Sequence, residues 1–273
     1  MSNAAAKWGD LAPRVISGLV LAGVGFGLIY VGGLPMAVGL IAIGGIGIWE
    51  LHRMLGGRVA KKAGGFGALA VFAVLAAQIV ALASGYGFLD NLHLTPWIVP
   101  FLGVALWAGV QTVPLQHRWI FCLYGALFLF AVIGMFYLRV VHGLIFILFV
   151  VAVVVASDIA GYFAGRILGG PKFWPRVSPK KTWSGTVAGW IAAVAVAWAV
   201  LGYEPLMVFV VAPLLALAAQ MGDIVESAIK RKAGVKDSSD LIPGHGGVLD
   251  RFDAMAGAGA LATLVMAGVG LWA

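Results

Sequence analysis

The chain has 273 residues, 62% of them hydrophobic and 11% charged, with a mean hydropathy of +1.02. Soluble domains carry about 25% charged residues, so this composition excludes a water-soluble globular enzyme and points to a polytopic membrane protein. A net charge of +7 would suggest a nucleic-acid partner in a soluble protein. In a membrane protein it reports loops lying on anionic lipid, and no nucleic acid is expected.

A helix needs about 20 mostly apolar residues to cross a bilayer. On that rule the chain reads as all-α: a single membrane domain over 1–273 with about nine transmembrane helices, near 14–31, 34–54, 64–84, 96–113, 119–138, 142–165, 184–201, 205–228 and 254–272. The first run follows Arg14, is long enough to span and has no cleavage-site pattern after it, so no removable leader is expected. Gly32-Gly33 with Pro35, and Gly202 to Pro205, mark tight turns between spans. An N-in/C-out arrangement puts 17 of the 18 Lys and Arg on the cytoplasmic side and leaves only Arg139 outside, which the positive-inside rule favours. Glu50, beside Trp49 at the end of the second span, reads as an interfacial anchor. The one cysteine, Cys122, lies in an apolar run and allows no internal disulfide. The 85–95 loop, with Asp90, Asn91 and His93, lacks Lys and Arg and reads as an outer loop. Glycines four apart, Gly23/Gly27 and Gly185/Gly189, permit close helix packing.

Polar chemistry concentrates between Gln220 and Asp253, which hold six of the 11 acidic residues. The stretch reads as helix, polar loop, helix. Asp223, Glu226, Ser227 and Lys230 follow i, i+3, i+4, i+7 spacing and share a helical face. Asp250 and Asp253, three apart, share a face on the next helix. An acid at membrane depth is costly unless paired, which makes Asp223 a functional candidate. Glu226 suits either function or a salt bridge to Lys230. Asp250 and Asp253 suit either a ligand role or a helix N-terminus. Between them Pro243-Gly244-His245-Gly246-Gly247 allows tight turns, with amides free to cradle phosphate. Two carboxylate pairs suit Mg2+, and the adjacent Lys230, Arg231, Lys232 and Lys236 suit polyphosphate. Together they predict metal-assisted phosphoryl or nucleotidyl transfer.

Ser227-Ala228-Ile229-Lys230-Arg231, then Lys236-Asp237-Ser238-Ser239, then Ile242 through Asp253 resembles the signature of phosphatidate cytidylyltransferases, or CDP-diacylglycerol synthases. A second block is similar to the same family: Asp158, Gly161 through Arg166, and Ser178-Pro179-Lys180-Lys181-Thr182-Trp183. The resemblance therefore covers residues 157–253. Two places depart from it. Ser184 follows Trp183 where glutamate is common, and Ile159-Ala160-Gly161 follows Asp158 in place of Thr-Gly-Ala.

The resemblance implies a Mg2+-dependent nucleotidyltransferase that makes CDP-diacylglycerol and pyrophosphate from CTP and phosphatidic acid. It places Asp223 and Asp250 on the metal, with Lys230 and Asp253 completing the catalytic set. Asp253 could be a ligand or a partner of Arg251 or a lysine. Substrate binding falls to Ser178, Lys180, Lys181, Ser227, Arg231, Lys236, Asp237, His245, Gly246, Gly247 and Arg251. His245 could be a general base or a turn residue that donates to phosphate. The family also implies a second cation, a homodimer, contact with membrane lipid, and a bacterial cytoplasmic (inner) membrane with the site facing the cytoplasm. Among rivals, CDP-alcohol phosphotransferases carry Asp-Gly and Ala-Arg pairs in an order absent here. A cytidylyltransferase acting on an isoprenoid ether lipid stays open. An ion-coupled transporter would place its acids near the bilayer centre, whereas these cluster at one surface beside lysines.

Overall fold

The computed structural model describes residues 11–56, 109–111 and 113–270. The span expected at 64–84, nearly all of that at 96–113, the 85–95 loop, and Lys7, Arg58, Lys61 and Lys62 lie outside the described residues. Among those described are seven long α-helices: α1 Leu11–Val31, α2 Gly33–Met54, α3 Arg118–Val141, α4 Gly143–Ile167, α5 Trp183–Leu201, α6 Ala212–Ala233 and α7 Leu249–Gly270. They match the seven expected spans that fall on described residues. Five helical stretches are long and apolar enough to cross a membrane: Gly33–Met54, Leu115–Val141, Gly143–Ile167, Trp183–Leu201 and Met207–Ala233. Large apolar side chains such as Leu19, Ile145, Ile191 and Trp198 stay exposed on the helices, as lipid-facing surfaces require. The protein is a helical membrane protein.

The chain divides into two compact units. The first comprises α1, α2, α3 up to Leu129, and the signature loop from Asp237 to Asp250. The turn at Gly32 and Gly33, both at positive φ, joins α1 to α2 as the sequence predicts. Leu51, Phe121, Phe128 and Leu249 are fully buried in this unit. Phe128 and Leu249 occupy the space that a side chain at Gly47 would need.

The second unit contains α3 from Phe130, α4, a hairpin, α5, α6 and α7 from Arg251. The hairpin pairs β1 (Lys172–Trp174) with β2 (Ser178–Thr182) antiparallel, Lys172 opposite Thr182 and Trp174 opposite Ser178. An all-helical reading misses it because three- and five-residue strands broken by Pro175 and Pro179 show no usable alternation. Phe173 and Trp183 pack ring on ring at 4.7 Å and tie the hairpin to α5. Thr182 caps α5 by accepting from the Gly185 amide at 3.2 Å. Ser184, where glutamate is common in the resembled family, donates to the Gly169 carbonyl instead. Helices α4 and α5 cross where Gly161 meets Gly185: a side chain at Gly185 would strike the Gly161 carbonyl, and one at Gly161 would press on the Gly185 carbonyl at 3.2 Å. Pro213 has no N–H for the carbonyl four residues back, and the chain passes through a π turn, Met207–Val211, before α6. Helix α6 ends at Gly234 (φ 72°), where the Val235 amide bonds Lys230 O and the Gly234 amide bonds Arg231 O.

Candidate active site

In the second unit a polar cluster forms from four elements. Lys181, at the end of β2, meets Asp223 of α6 with Nζ 2.5 Å from Oδ2. It also donates to the Gln220 carbonyl at 3.2 Å. Gln220 is buried one turn before Asp223. Its Nε2 donates to Ser157 Oγ on α4 and to Thr186 O on α5, both at 3.3 Å, and its Oε1 accepts from Trp190 Nε1 at 3.2 Å. One side chain thus fastens α4, α5 and α6 at the level of the cluster. Its only signal in the sequence is a glutamine inside an apolar run.

Asp253 arrives from α7. Gly222 lies against the backbone of Asp253 and Gly257, and Gly257 lies against the carbonyl of Ala218, so α6 and α7 cross backbone to backbone. That crossing brings the Asp253 side chain beside Asp223, within the fields of Asp223 and Lys230. Asp253 also accepts from its neighbour's amide, Ala254 N, at 2.7 Å. Asp158 on α4 lies within the fields of Lys181 and Asp223. Two carboxyl groups side by side need a proton or a cation between them. Among the described residues no three His, Cys, Asp or Glu side chains converge as a ready-made metal cage. Mg2+ does not require one, because it takes one or two protein carboxylates and completes its shell with substrate phosphates and water.

Lower on α6, Lys230 forms an i, i+4 ion pair with the fully buried Glu226. Ser227 Oγ lies 3.4 Å from Asp223 Oδ1, long for a hydrogen bond between oxygens.

In the first unit the signature loop is held by two carboxylates. Asp250 Oδ2 accepts from Ser238 N (2.8 Å), Ser238 Oγ (2.8 Å) and Gly247 N (2.7 Å). Glu50 accepts from Ser239 Oγ (2.5 Å), Val248 N (3.0 Å) and Leu249 N (2.7 Å), and its Oε2 lies 3.1 Å from Ser238 Oγ, whose single proton it shares with Asp250. Gly246 turns the loop at φ 80°, and the carbonyl and amide of Gly246 and Ile242 form a small bridge. On the loop's other side Ser17 of α1 donates to Pro243 O at 3.1 Å and lies 2.7 Å from His245 Nδ1. With the hydroxyl proton on Pro243 O, Nδ1–H is the donor to Ser17.

Residues 12–269 match the model of the cytidylyltransferase family. The chain belongs to the cytidylyltransferase family. It is 37% identical over 256 residues to the phosphatidate cytidylyltransferase of Brucella suis, covering 92% of each chain. It is 32% identical over 257 residues to that of Bacillus subtilis, covering 89% of this chain and 93% of the relative. A shorter match, 42% over 126 residues, relates it to the phosphatidate cytidylyltransferase of Haemophilus influenzae. The protein is a membrane-embedded nucleotidyltransferase.

Within this cytidylyltransferase the expected site residues fall into two groups. Lys181, Asp223, Ser227, Lys230 and Asp253 are gathered in the second unit. Ser178 (half-buried) and Lys180 (exposed) stand on β2, and Arg231, Lys236 and Arg251 are exposed. Asp250, His245, Gly246 and Gly247 are gathered in the first unit, with Asp237 exposed at the loop's start. Two sequence readings change. The Gly247 amide, expected to be free for phosphate, is bonded to Asp250. Glu50 is no interfacial anchor: it has no exposed surface, and its carboxylate accepts from the loop. Nothing in the local sequence reveals this, because its partners lie about 190 residues downstream.

Proposed function

We propose that the protein is a phosphatidate cytidylyltransferase, converting CTP and phosphatidic acid to CDP-diacylglycerol and pyrophosphate. The observation that carries the proposal is the cluster of Lys181, Asp223 and Asp253 in a cytidylyltransferase whose full-length relatives are phosphatidate cytidylyltransferases. A phosphate oxygen of the lipid attacks the α-phosphorus of CTP. The new P–O bond forms as the bond from that phosphorus to the bridging oxygen breaks, and pyrophosphate leaves with the electron pair. No covalent enzyme intermediate is needed, since phosphoryl chemistry of this kind depends on positioning and charge. Lys181, exposed on one side, holds a substrate phosphate while staying near Asp223. Exposed Lys180, Arg231 and Lys236 supply further positive charge for the triphosphate and the lipid phosphate.

The all-oxygen donor pair Asp223 and Asp253 fits Mg2+, and the sequence resemblance adds Asp250 as a ligand. Mg2+ bound there would neutralise triphosphate charge as it moves to the leaving group. The family resemblance further proposes a second cation and a homodimer. The charge split of Lys and Arg supports an N-in/C-out chain in the bacterial cytoplasmic membrane, with the cluster facing cytoplasmic CTP.

Purified protein given labelled CTP and phosphatidic acid should form a lipid-soluble cytidine product that stops with EDTA and returns with excess Mg2+. Undiminished turnover in EDTA would remove the metal from the account.

A further inference from the structure

We propose that Glu50 is a positioning residue for the transfer reaction: from α2 its carboxylate clamps both ends of the signature loop and fixes the loop in its working geometry. The inference rests on the cytidylyltransferase reading given above. A carboxylate offers about four acceptor positions, and four donor groups face Glu50: Ser239 Oγ at the loop's start, Val248 N and Leu249 N at its end, and Ser238 Oγ, whose single proton is shared with Asp250. The last two amides open α7, where first-turn N–H groups lack partners within the helix and favour negative charge. Glu50 supplies that charge from a helix some two hundred residues earlier in the chain.

The loop is shaped to the carboxylate. A side chain at Gly247 would strike Glu50 Oε1 and Ser238 Oγ, so the last glycine of the motif is needed for the approach of Glu50. Ser238 extends the link, since its Oγ also lies 2.8 Å from Asp250 Oδ2. The position of Asp250 is therefore tied to Glu50 through one hydroxyl. Burying a carboxylate this deeply is costly, and apolar packing would hold two segments together at less expense. What a carboxylate adds is a fixed direction for each of four donors, which a reaction needs and a core does not. Trp49 and Arg53 flank Glu50 on α2 and interact with each other, ring centroid to guanidinium carbon, at 5.6 Å.

The test compares wild type with Glu50→Gln and Ser239→Ala, using Glu204→Gln in the exposed α5–α6 connection as a control. Glutamine keeps the shape but turns an acceptor oxygen into a donor facing N–H and O–H groups. Amide hydrogen exchange in detergent should rise at least tenfold in peptides covering 238–249 of Glu50→Gln and stay unchanged in α4 and α5. The kcat should fall at least thirtyfold, with the KM for CTP within threefold of wild type. Ser239→Ala should show the same pattern at smaller amplitude, a three- to tenfold loss. Adding it to Glu50→Gln should cost little more. Unchanged loop exchange in both variants overturns the clamp. Faster loop exchange with wild-type kcat overturns the positioning role, and so does loss of protection throughout the molecule. If Glu50→Gln does not fold, Ser239→Ala decides by the same two readings. A wild-type protein that makes no cytidine lipid refutes the activity, while the exchange measurement still decides the clamp.

Discussion

The crossing of α6 and α7 makes Gly222→Ala the most revealing small change. A Cβ at residue 222 would fall well inside contact distance of the Asp253 carbonyl oxygen, and 3.1 Å from Gly257 N. Both obstacles are backbone, so neither can rotate away. Real Cβ atoms do not approach such atoms closer than 3.0 Å, and the helices must part by about 1 Å, a displacement that can cost roughly a hundredfold in rate at a catalytic centre. Asp223 follows the substituted residue directly, and Asp253 lies at the contact itself. The separation therefore acts on the carboxylate pair before anything else. Overpacking of this kind also destabilises by about 1–3 kcal/mol. The expected result is a kcat lowered about a hundredfold, roughly 2.7 kcal/mol, in protein that elutes as wild type and melts a few degrees lower. Steady-state kinetics with varied CTP, beside thermal denaturation in the same detergent, reads both quantities. A variant with wild-type kcat would refute the argument that this crossing sets the site.

Three further outcomes follow from the same geometry and from the sequence. Asp223→Asn and Asp250→Asn should each lose at least a hundredfold in kcat, about 2.7 kcal/mol, and the double variant should be little worse because residues acting as a unit are not additive. Near-normal turnover of Asp250→Asn would leave that residue as the loop's cap alone. Lys230→Met strands Glu226 buried without its counter-charge, which costs about 3–5 kcal/mol; its Tm should fall and largely recover in Glu226→Gln/Lys230→Met, and an unchanged Tm for the single variant would contradict the pairing. In a Cys122→Ala background, a cysteine near Asn91 should label from outside the membrane and one near Lys61 should not, the reverse pattern overturning the N-in orientation.

Long apolar runs made the spanning helices legible, because a bilayer imposes length and composition together. The helical spacing of Asp223, Glu226, Ser227 and Lys230 was legible for the same reason: it is local. The paired glycines were readable only as permission. Gly185 and Gly189 are at a helix contact, Gly185 against Gly161 and Gly189 against Ser157 and Gln220, whereas Gly23 and Gly27 meet no neighbour among the described residues. The same spacing serves both cases, and only the partner helix tells them apart. Of the two readings of Glu226, the salt bridge to Lys230 is formed. Glu50 and Gln220 were out of reach because their roles come from partners far along the chain. An acid near an aromatic at a span end, or an amide in an apolar run, has no periodicity to betray it. The short hairpin escaped because its strands are shorter than any pattern that could announce them.

The most direct measurement of the central claim follows two phosphorus labels through one reaction. Purified protein in mixed micelles with phosphatidic acid and Mg2+ receives CTP labelled at either the α- or the γ-phosphorus. Attack at the α-phosphorus predicts that the α-label moves to the organic phase as CDP-diacylglycerol while the γ-label stays aqueous as pyrophosphate, in equal amounts. A γ-label recovered in lipid, or no lipid label from either CTP, would contradict it.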